Sequence, residues 1–395
     1  MKLLSLAVVV GIAQAFPFNY GFGFGFGDQQ VPQLETSVFE GLEDYKVGKH
    51  SLLDFHKRLI DIDSTSDHEN NASQFLKKYL KATGLTVEVQ KIDDGLEERY
   101  NIYAYYGKTR DTKVVVTSHF DTVPPYIPYR IEGTKIYGRG SSDAKGSVAA
   151  QVFAFLSLLE SKKIKEGDVS LLFVVGEENS GIGMITASKS LGAKWGSAIF
   201  GEPTELKLGV GHKGIFSFKL TANGLASHSG YPQLGISASE ILIPVLNDLL
   251  HVKFPVNALL GPSTLNIGTF SGGLAGNVVP AHAEALIVVR VAGQLDVIAD
   301  LVKKTVGNIE HLDYEVLINK DAVYLDHEVP GFDTIVLAYG TDVPNLQLDL
   351  KYRYLYGPGS ILVAHGDNEH IDNSDLIEAV KGYKELVHHV LANSD

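Results

Sequence analysis

The stretch Val114-Val115-Val116-Thr117-Ser118-His119-Phe120-Asp121 joins three β-branched apolar residues to a histidine and an aspartate two positions apart. In an extended chain, residues two apart point the same way, so the Asp121 carboxylate can accept the spare ring N–H of His119 and fix which nitrogen faces outward. Metal-binding histidines are commonly held so. The same pair also suits the end of a strand and the cap of the next turn, and the octapeptide alone leaves both readings open. Four further places offer ligand-type side chains away from the middle of apolar faces. Asp143 lies in Gly138-Arg139-Gly140-Ser141-Ser142-Asp143-Ala144-Lys145-Gly146, a loop leading into a helix, where it could equally be the cap. Val174-Val175-Gly176-Glu177-Glu178 sets two like charges side by side, which costs energy unless a cation or solvent screens them. Glu202 follows Phe200-Gly201, and His365 follows Ile361-Leu362-Val363 with Ala364 between. Singly, each reads as a solvated loop charge. Together they share one predicted position, the loop after a strand, where open α/β folds assemble their sites. The chain has no cysteine, so disulfides and thiolates are excluded and any metal must be held by His, Asp and Glu.

The elements that must position these groups follow from apolar spacing. Helices are predicted at His50–Asp61, Asn71–Thr83 and about Lys145–Ser161, with strands at Thr86–Val89, Tyr100–Tyr105, the Val114 run and Val169–Val175. Strands interleaved with helices imply α/β architecture, a largely parallel sheet flanked by helices. From about Lys213 the rhythm changes. A strand at Ile215–Ala222, a helix at Ser237–His251, strands at Thr264–Phe270 and Glu284–Val291, a helix at Leu295–Val306 and a strand at Tyr314–Ile318 make the β-α-β-β-α-β order of a ferredoxin-like α+β unit. It reads as a second domain, residues 213–320, inserted into a first domain of residues 45–212 and 321–395. In the returning chain, Gly331–Tyr339 and Asp375–Leu391 read as flanking helices.

At 395 residues, 45% hydrophobic and 21% charged, the composition is that of a soluble globular protein of about two domains. A formal net charge of -13 argues against nucleic acid or an anionic membrane as partner, since phosphates need a positive surface. Residues 1–15 read as a cleaved secretory signal: Lys2, an apolar run Leu3–Ile12 too short to span a bilayer, and the small-x-small site Ala13-Gln14-Ala15. An extracellular location follows as an expectation. Residues 16–44 contain the glycine-aromatic repeat Asn19–Gly27, expected to be disordered or a removable pro-segment. Asn71-Ala72-Ser73 is a glycosylation sequon.

Five segments in order resemble the motifs of the M20 metallopeptidases: Ser118–Pro124, the Gly138–Gly146 loop, Gly176-Glu177-Glu178, Gly201-Glu202-Pro203-Thr204, and Gly357-Pro358-Gly359 to Ala364-His365. That family includes glutamate carboxypeptidases, acetylornithine deacetylase, succinyl-diaminopimelate desuccinylase and aminoacylase. The similarity runs from about Lys49 to the C-terminus and implies a two-zinc catalytic domain with an inserted lid. It makes Asp143 the ligand bridging two zinc ions per subunit, His119 and Glu202 ligands of one, and Glu178 and His365 ligands of the other. Asp121 would orient His119, and Glu177 would be the general base. His370 is the competitor for His365, but Ala364-His365 after the Gly-Pro-Gly turn is the family pattern. Gly224–Ser229 resembles the lid motif in which a histidine, here His228, reaches the reacting oxygen, often from a partner subunit; the alternative is a loop histidine in solvent. Asn277 and Arg290 match positions that hold the substrate's carboxylate, although Arg290 also suits a surface ion pair. The resemblance allows a homodimer through the lid.

The function these features favour is a secreted zinc metallo-exopeptidase, a carboxypeptidase acting on peptides. An amidohydrolase releasing the acyl group of N-acyl amino acids would use the same metal site. A non-catalytic binding relative could dispense with Glu177, which is present, and a serine hydrolase lacks its Gly-x-Ser-x-Gly elbow.

Overall fold

Buried β-branched residues set the centre of the molecule. Thr112–His119 is a strand with Val114 and Val115 at 0% exposure, as expected where both faces of a sheet are covered. The computed structural model describes Phe39 and residues 41–96 and 98–394. The predicted signal, residues 1–15, and residues 16–38 of the glycine-aromatic segment lie outside the described residues.

The Thr112–His119 strand is third in a six-stranded sheet with the spatial order Arg353–Tyr356, Trp195–Gly201, Thr112–His119, Val169–Val174, Tyr100–Tyr105, Thr86–Lys91. The first four strands are mutually parallel; the last two are antiparallel to their neighbours. The connection from Thr112–His119 to Val169–Val174 passes through the helix Lys145–Glu160, which is buried almost all round. That suits a helix packed between the sheet and the C-terminal helix Asn373–Ala392. Val115, Leu172 and Phe200 face a second core with Met184, Trp195 and Leu346.

A four-stranded antiparallel sheet has the order Thr264–Gly272, His282–Val291, Gly214–Asn223, Leu312–Lys320. Alternate residues of its central strand, Phe216, Phe218, Leu220 and Ala222, form a core with Leu242 and Leu249 of the helix Ala238–Leu250 and Ile298 and Val302 of Leu295–Val306. The opposite face carries no helix and is half-exposed, the period-two pattern of a sheet covered on one side.

Three features differ from expectation. Gly331–Tyr339 is not a helix; it holds the four-residue strand Thr334–Leu337, which runs parallel to Leu208–His212. Its apolar run is β-branched and short, and Gly331 has φ +88°, so a turn rather than a helix start precedes it. Ile361-Leu362-Val363 is a turn instead of a strand end, with Leu362 85% exposed. A hairpin, Arg130–Glu132 with Lys135–Tyr137, pairs with His370–Asp372 and precedes the Asp143 loop. Among the described residues, no helix is long and apolar enough to cross a membrane.

Candidate metal centre

The parallel strands finish together. His119 is level with Val174 and Tyr356 with Gly201, so the residues just beyond each strand collect at one carboxyl edge, the usual place for a site in an open α/β sheet. His119 closes its strand and is 2% exposed. Its Nδ1–H donates to the backbone carbonyl of Asp121 at 3.0 Å, which turns Nε2 toward Asp143 Oδ1 at 3.2 Å and Glu202 Oε2 at 3.8 Å.

Asp121 orients the site, but not chiefly as its spacing suggests. Its carboxylate is 3.5 Å from His119 Nδ1, farther than its own carbonyl. The carboxylate oxygens are taken by the backbone N–H groups of Glu177 at 3.0 Å and Glu178 at 3.2 Å, and by Ser66 Oγ at 2.9 Å. Asp121 therefore pins the Glu177-Glu178 turn against the His119 strand; it is no local turn cap.

Asp143 joins two groups of ligands. The N-cap of the following helix is Ala144, with no side-chain capping bond, so the Asp143 carboxylate is free of that task. Oδ1 faces His119, while Oδ2 lies 3.3 Å from His365 Nε2, which is also 3.0 Å from Glu178 Oε2. Two triads result, His119–Asp143–Glu202 and Asp143–Glu178–His365, each with its ligand atoms within 4.8 Å of one another. Tetrahedral zinc with ligand bonds of about 2.0–2.1 Å separates its ligand atoms by about 3.3 Å, and the observed spacings of 3.0–3.8 Å fit that geometry. His365 has φ +63°, a conformation non-glycine residues rarely adopt. His370 stands apart, its Nε2 accepting from Lys135 Nζ at 3.0 Å.

The electrostatics are those of crowded buried carboxylates. Burial raises Glu202 to about 8, against the pull of His119, with Asp143 adding to the rise. Glu177 is raised well above the usual carboxylate range, by burial first and then by Glu202, Asp342 and Glu178, while His119 opposes. Its carboxylate makes no hydrogen bond among the described residues and lines the adjoining cavity, so it can exchange protons there. Hydrogen bonds to Asp143 and Glu178 raise His365 to about 10. Burial disfavours the charged form of His119, yet Glu202, Asp121 and Asp143 outweigh it and lift its pKa well above the imidazole range. A cation at either triad would compete with the proton each ring holds.

Sequence reading passed over the support beneath Asp143. Glu369, buried, accepts the backbone N–H groups of Ser142 and Asp143, each at 3.1 Å. Arg139 pairs with Glu369 at 2.8 Å and donates to the carbonyls of Gly366 at 3.2 Å and His365 at 3.4 Å. Arg139 stood within a recognised motif; Glu369 follows an exposed turn and gave no signal.

One cavity of about 290 Å³ adjoins the centre. Asp143, Glu177, Glu202 and His365 line one side, and Arg290 and Lys320 of the second sheet line the other. Arg290 is thus brought to the site. His228 and Asn277 are brought to each other, Ser229 N–H donating to Asn277 O at 3.0 Å, but both are exposed and neither lines this cavity. Asn71 is exposed on the first turn of the helix Asn70–Ala82.

Residues 115–389 match the model of peptidase family M20/M25/M40. A Peptidase M20 domain-containing protein of Schizosaccharomyces pombe is 52% identical over 338 residues, covering 85% of this chain and 84% of its own. A protein of Aspergillus oryzae named "probable carboxypeptidase" is 46% identical over 375 residues, covering 85% and 89%. In fold, the chain is similar to a tripeptidase from Staphylococcus aureus, with TM-score 0.71 and 21% identity over 86% of this chain and 98% of that one. It is also similar to a dinuclear metal-binding M20 peptidase of Bacillus subtilis, with TM-score 0.61 and 14% identity over 86% and 98%. The chain belongs to the M20 peptidase family and is a hydrolase.

Proposed function

We propose that this is a secreted, zinc-dependent carboxypeptidase that holds two zinc ions per subunit and removes the C-terminal residue of a peptide. The observation carrying this reading is the division of the Asp143 carboxylate, one oxygen 3.2 Å from His119 and the other 3.3 Å from His365. Names of relatives as carboxypeptidases support the reaction class, and the leader pattern of residues 1–15 supports secretion.

His119, Asp143 and Glu202 would hold one ion, and Asp143, Glu178 and His365 the other. When bound, the ions supply Lewis-acid polarisation of the scissile carbonyl and acidify water. Glu177 takes the proton from the attacking water and delivers it to the departing amine, a role its raised pKa and lack of competing bonds suit. Asp121 keeps Glu177 in place through the backbone of the turn. Arg290 binds the carboxylate of the leaving residue through its paired donors. Residues 45–212 and 321–395 form the catalytic domain and residues 213–320 the lid, through which two copies would associate so that His228 and Asn277 serve the partner's site.

Hydrolysis of N-blocked dipeptides compared with N-acetyl amino acids tests the reading, together with zinc content. The expected result is cleavage of the dipeptides with about two zinc ions per chain, and a Glu177→Gln variant that keeps its zinc but loses ~10²-fold or more in rate. Activity on N-acetyl amino acids alone would replace the carboxypeptidase with an amidohydrolase.

A further inference from the structure

Glu177 is placed by its backbone alone. Its carboxylate forms no hydrogen bond among the described residues, so whatever fixes the turn of residues 176–181 fixes the carboxylate too. Glu178 differs, since His365 Nε2 lies 3.0 Å from its Oε2. Asn101, 0% exposed, clamps the two ends of the turn: its Oδ1 accepts from Val175 N–H at 3.2 Å and its Nδ2 donates to Gly183 O at 2.8 Å. Asp121 holds the inner side through the N–H groups of Glu177 and Glu178.

The outer side has a support of its own. Asn179 Nδ2 donates to Asp67 Oδ1 at 3.2 Å, and Arg99 Nη1 donates to the same oxygen at 2.6 Å. The Arg99 side chain is 2% exposed and also pairs with Glu69 at 3.2 Å and with Asp94. A Cβ placed on Gly176 would lie 3.6 Å from Arg99 Nη1, so the guanidinium packs against the first residue of the turn. Ser66, next to Asp67, donates from Oγ to Asp121 Oδ2 at 2.9 Å and from its N–H to Thr122 O at 3.0 Å. One short loop thus reaches both the carboxylate inside the turn and the side chain outside it. To do so Asp67 takes φ +79°, a left-handed conformation uncommon for residues other than glycine. Strain of this kind persists where surrounding contacts demand it.

Resting on Glu177 as the general base, we infer that Arg99 and Asp67 are positioning residues for the proton transfer. Arg99 fixes Asp67, and Asp67 acts through Asn179 to fix the turn that presents Glu177 to the cavity. A base must stand within hydrogen-bond reach of the proton it takes, and a misplacement of about 1 Å can cost ~10²-fold in rate.

Arg99→Met would strand Glu69 as a buried charge, so the test starts at Asp67, whose side chain is 39% exposed. The readouts are kcat, KM and zinc content, with whichever of an N-blocked dipeptide and an N-acetyl amino acid the parent cleaves. Asp67→Ala, and Asn179→Ala at an exposed position, should each lower kcat about 10- to 100-fold with KM and zinc unchanged. Asp67→Asn keeps the acceptor oxygen and should restore most of the rate. In a Glu177→Gln background, Asp67→Ala should lower kcat no further, because the turn then carries no base. Either alanine variant at the parent kcat, folded by circular dichroism and loaded with zinc, would overturn the inference. So would a change confined to KM, or a fall as large in the Glu177→Gln background as in the parent. Glu177→Gln at the parent rate would overturn the role of the base and this inference with it, an outcome seen without any change at Asp67.

Discussion

Arg139 and Glu369, 230 residues apart in the chain, form an ion pair of 2.8 Å with each side chain only 1% exposed. The pair fastens the two loops that carry ligands of one triad. Glu369 holds the backbone beneath Asp143, and Arg139 holds the carbonyl of His365. Removing one partner leaves the other as a buried unpaired charge, which costs about 3–5 kcal/mol. Arg139→Met should therefore unfold at markedly lower denaturant. Because both ligand loops lose their tie, it should also bind zinc about 10- to 100-fold more weakly. Denaturant titration and competition with a chelator read the two effects. A variant as stable as the parent would show that the pair does not hold the loops.

The shared position of Asp143 makes a different prediction from that of its neighbours. Asp143→Ala removes a ligand from both triads, whereas His365→Ala removes one from a single triad. After exhaustive dialysis, the first variant should retain well under one zinc per chain and the second about one. Elemental analysis decides this. Equal retention by the two variants would count against a bridging carboxylate.

The centre was legible because four of its groups follow strands of a parallel sheet, whose unbroken apolar runs mark where each strand stops. That rule marked Glu177, Glu178 and Glu202, just past their strands, and His119, at the end of its own, as candidates; their division into two ligand sets and a base came from the resemblance to the M20 motifs. His365 did not obey it, since Ile361–Val363 is a turn, and its place rested on the Gly-Pro-Gly pattern before it. Gly331–Tyr339 misled because Ile335, Val336 and Leu337 belong to a strand too short to display a period. The role of Glu369 was invisible for another reason: it depends on a contact across the whole chain with Arg139 and with the backbone of Asp143, and backbone partners leave no trace in side-chain pattern.

His212 should make the protein sensitive to mild acid. It is 2% exposed, with Nδ1 donating to Lys213 O at 3.2 Å and Nε2 accepting from Thr341 Oγ1 at 3.0 Å. Both nitrogens are satisfied by the neutral ring. Burial lowers its pKa from 6.5 to about 4. Between those values the unfolded chain binds a proton that the folded one refuses, so stability is intact above 6.5 and falls as pH drops toward 4. The loss from this group approaches about 3 kcal/mol. Urea unfolding at pH 7 and pH 5 should show a larger drop for the parent than for His212→Gln, and identical drops would remove His212 as the cause.

His228 is exposed, its Nδ1 accepting from Gly230 N–H at 3.0 Å, and it lies outside the cavity lined by Glu177. The proposed dimer would have it serve catalysis in a second copy. The Thr264–Gly272 strand at one edge of its sheet has the unpaired backbone through which copies can associate, and Phe270 on it is 52% exposed. His228→Ala should then lower kcat by ~10²-fold or more, as loss of an oxyanion donor does. Glu177→Gln is expected to lose turnover for a separate reason, the loss of the proposed base. Mixed and allowed to exchange, the two variants would then form hybrid dimers in which the Glu177-bearing site receives an intact His228 from its partner. Random pairing restores about a quarter of the parent rate. Recovery that depends on exchange would place His228 in the partner's site, whereas a mixture no more active than its components would confine it to a surface role.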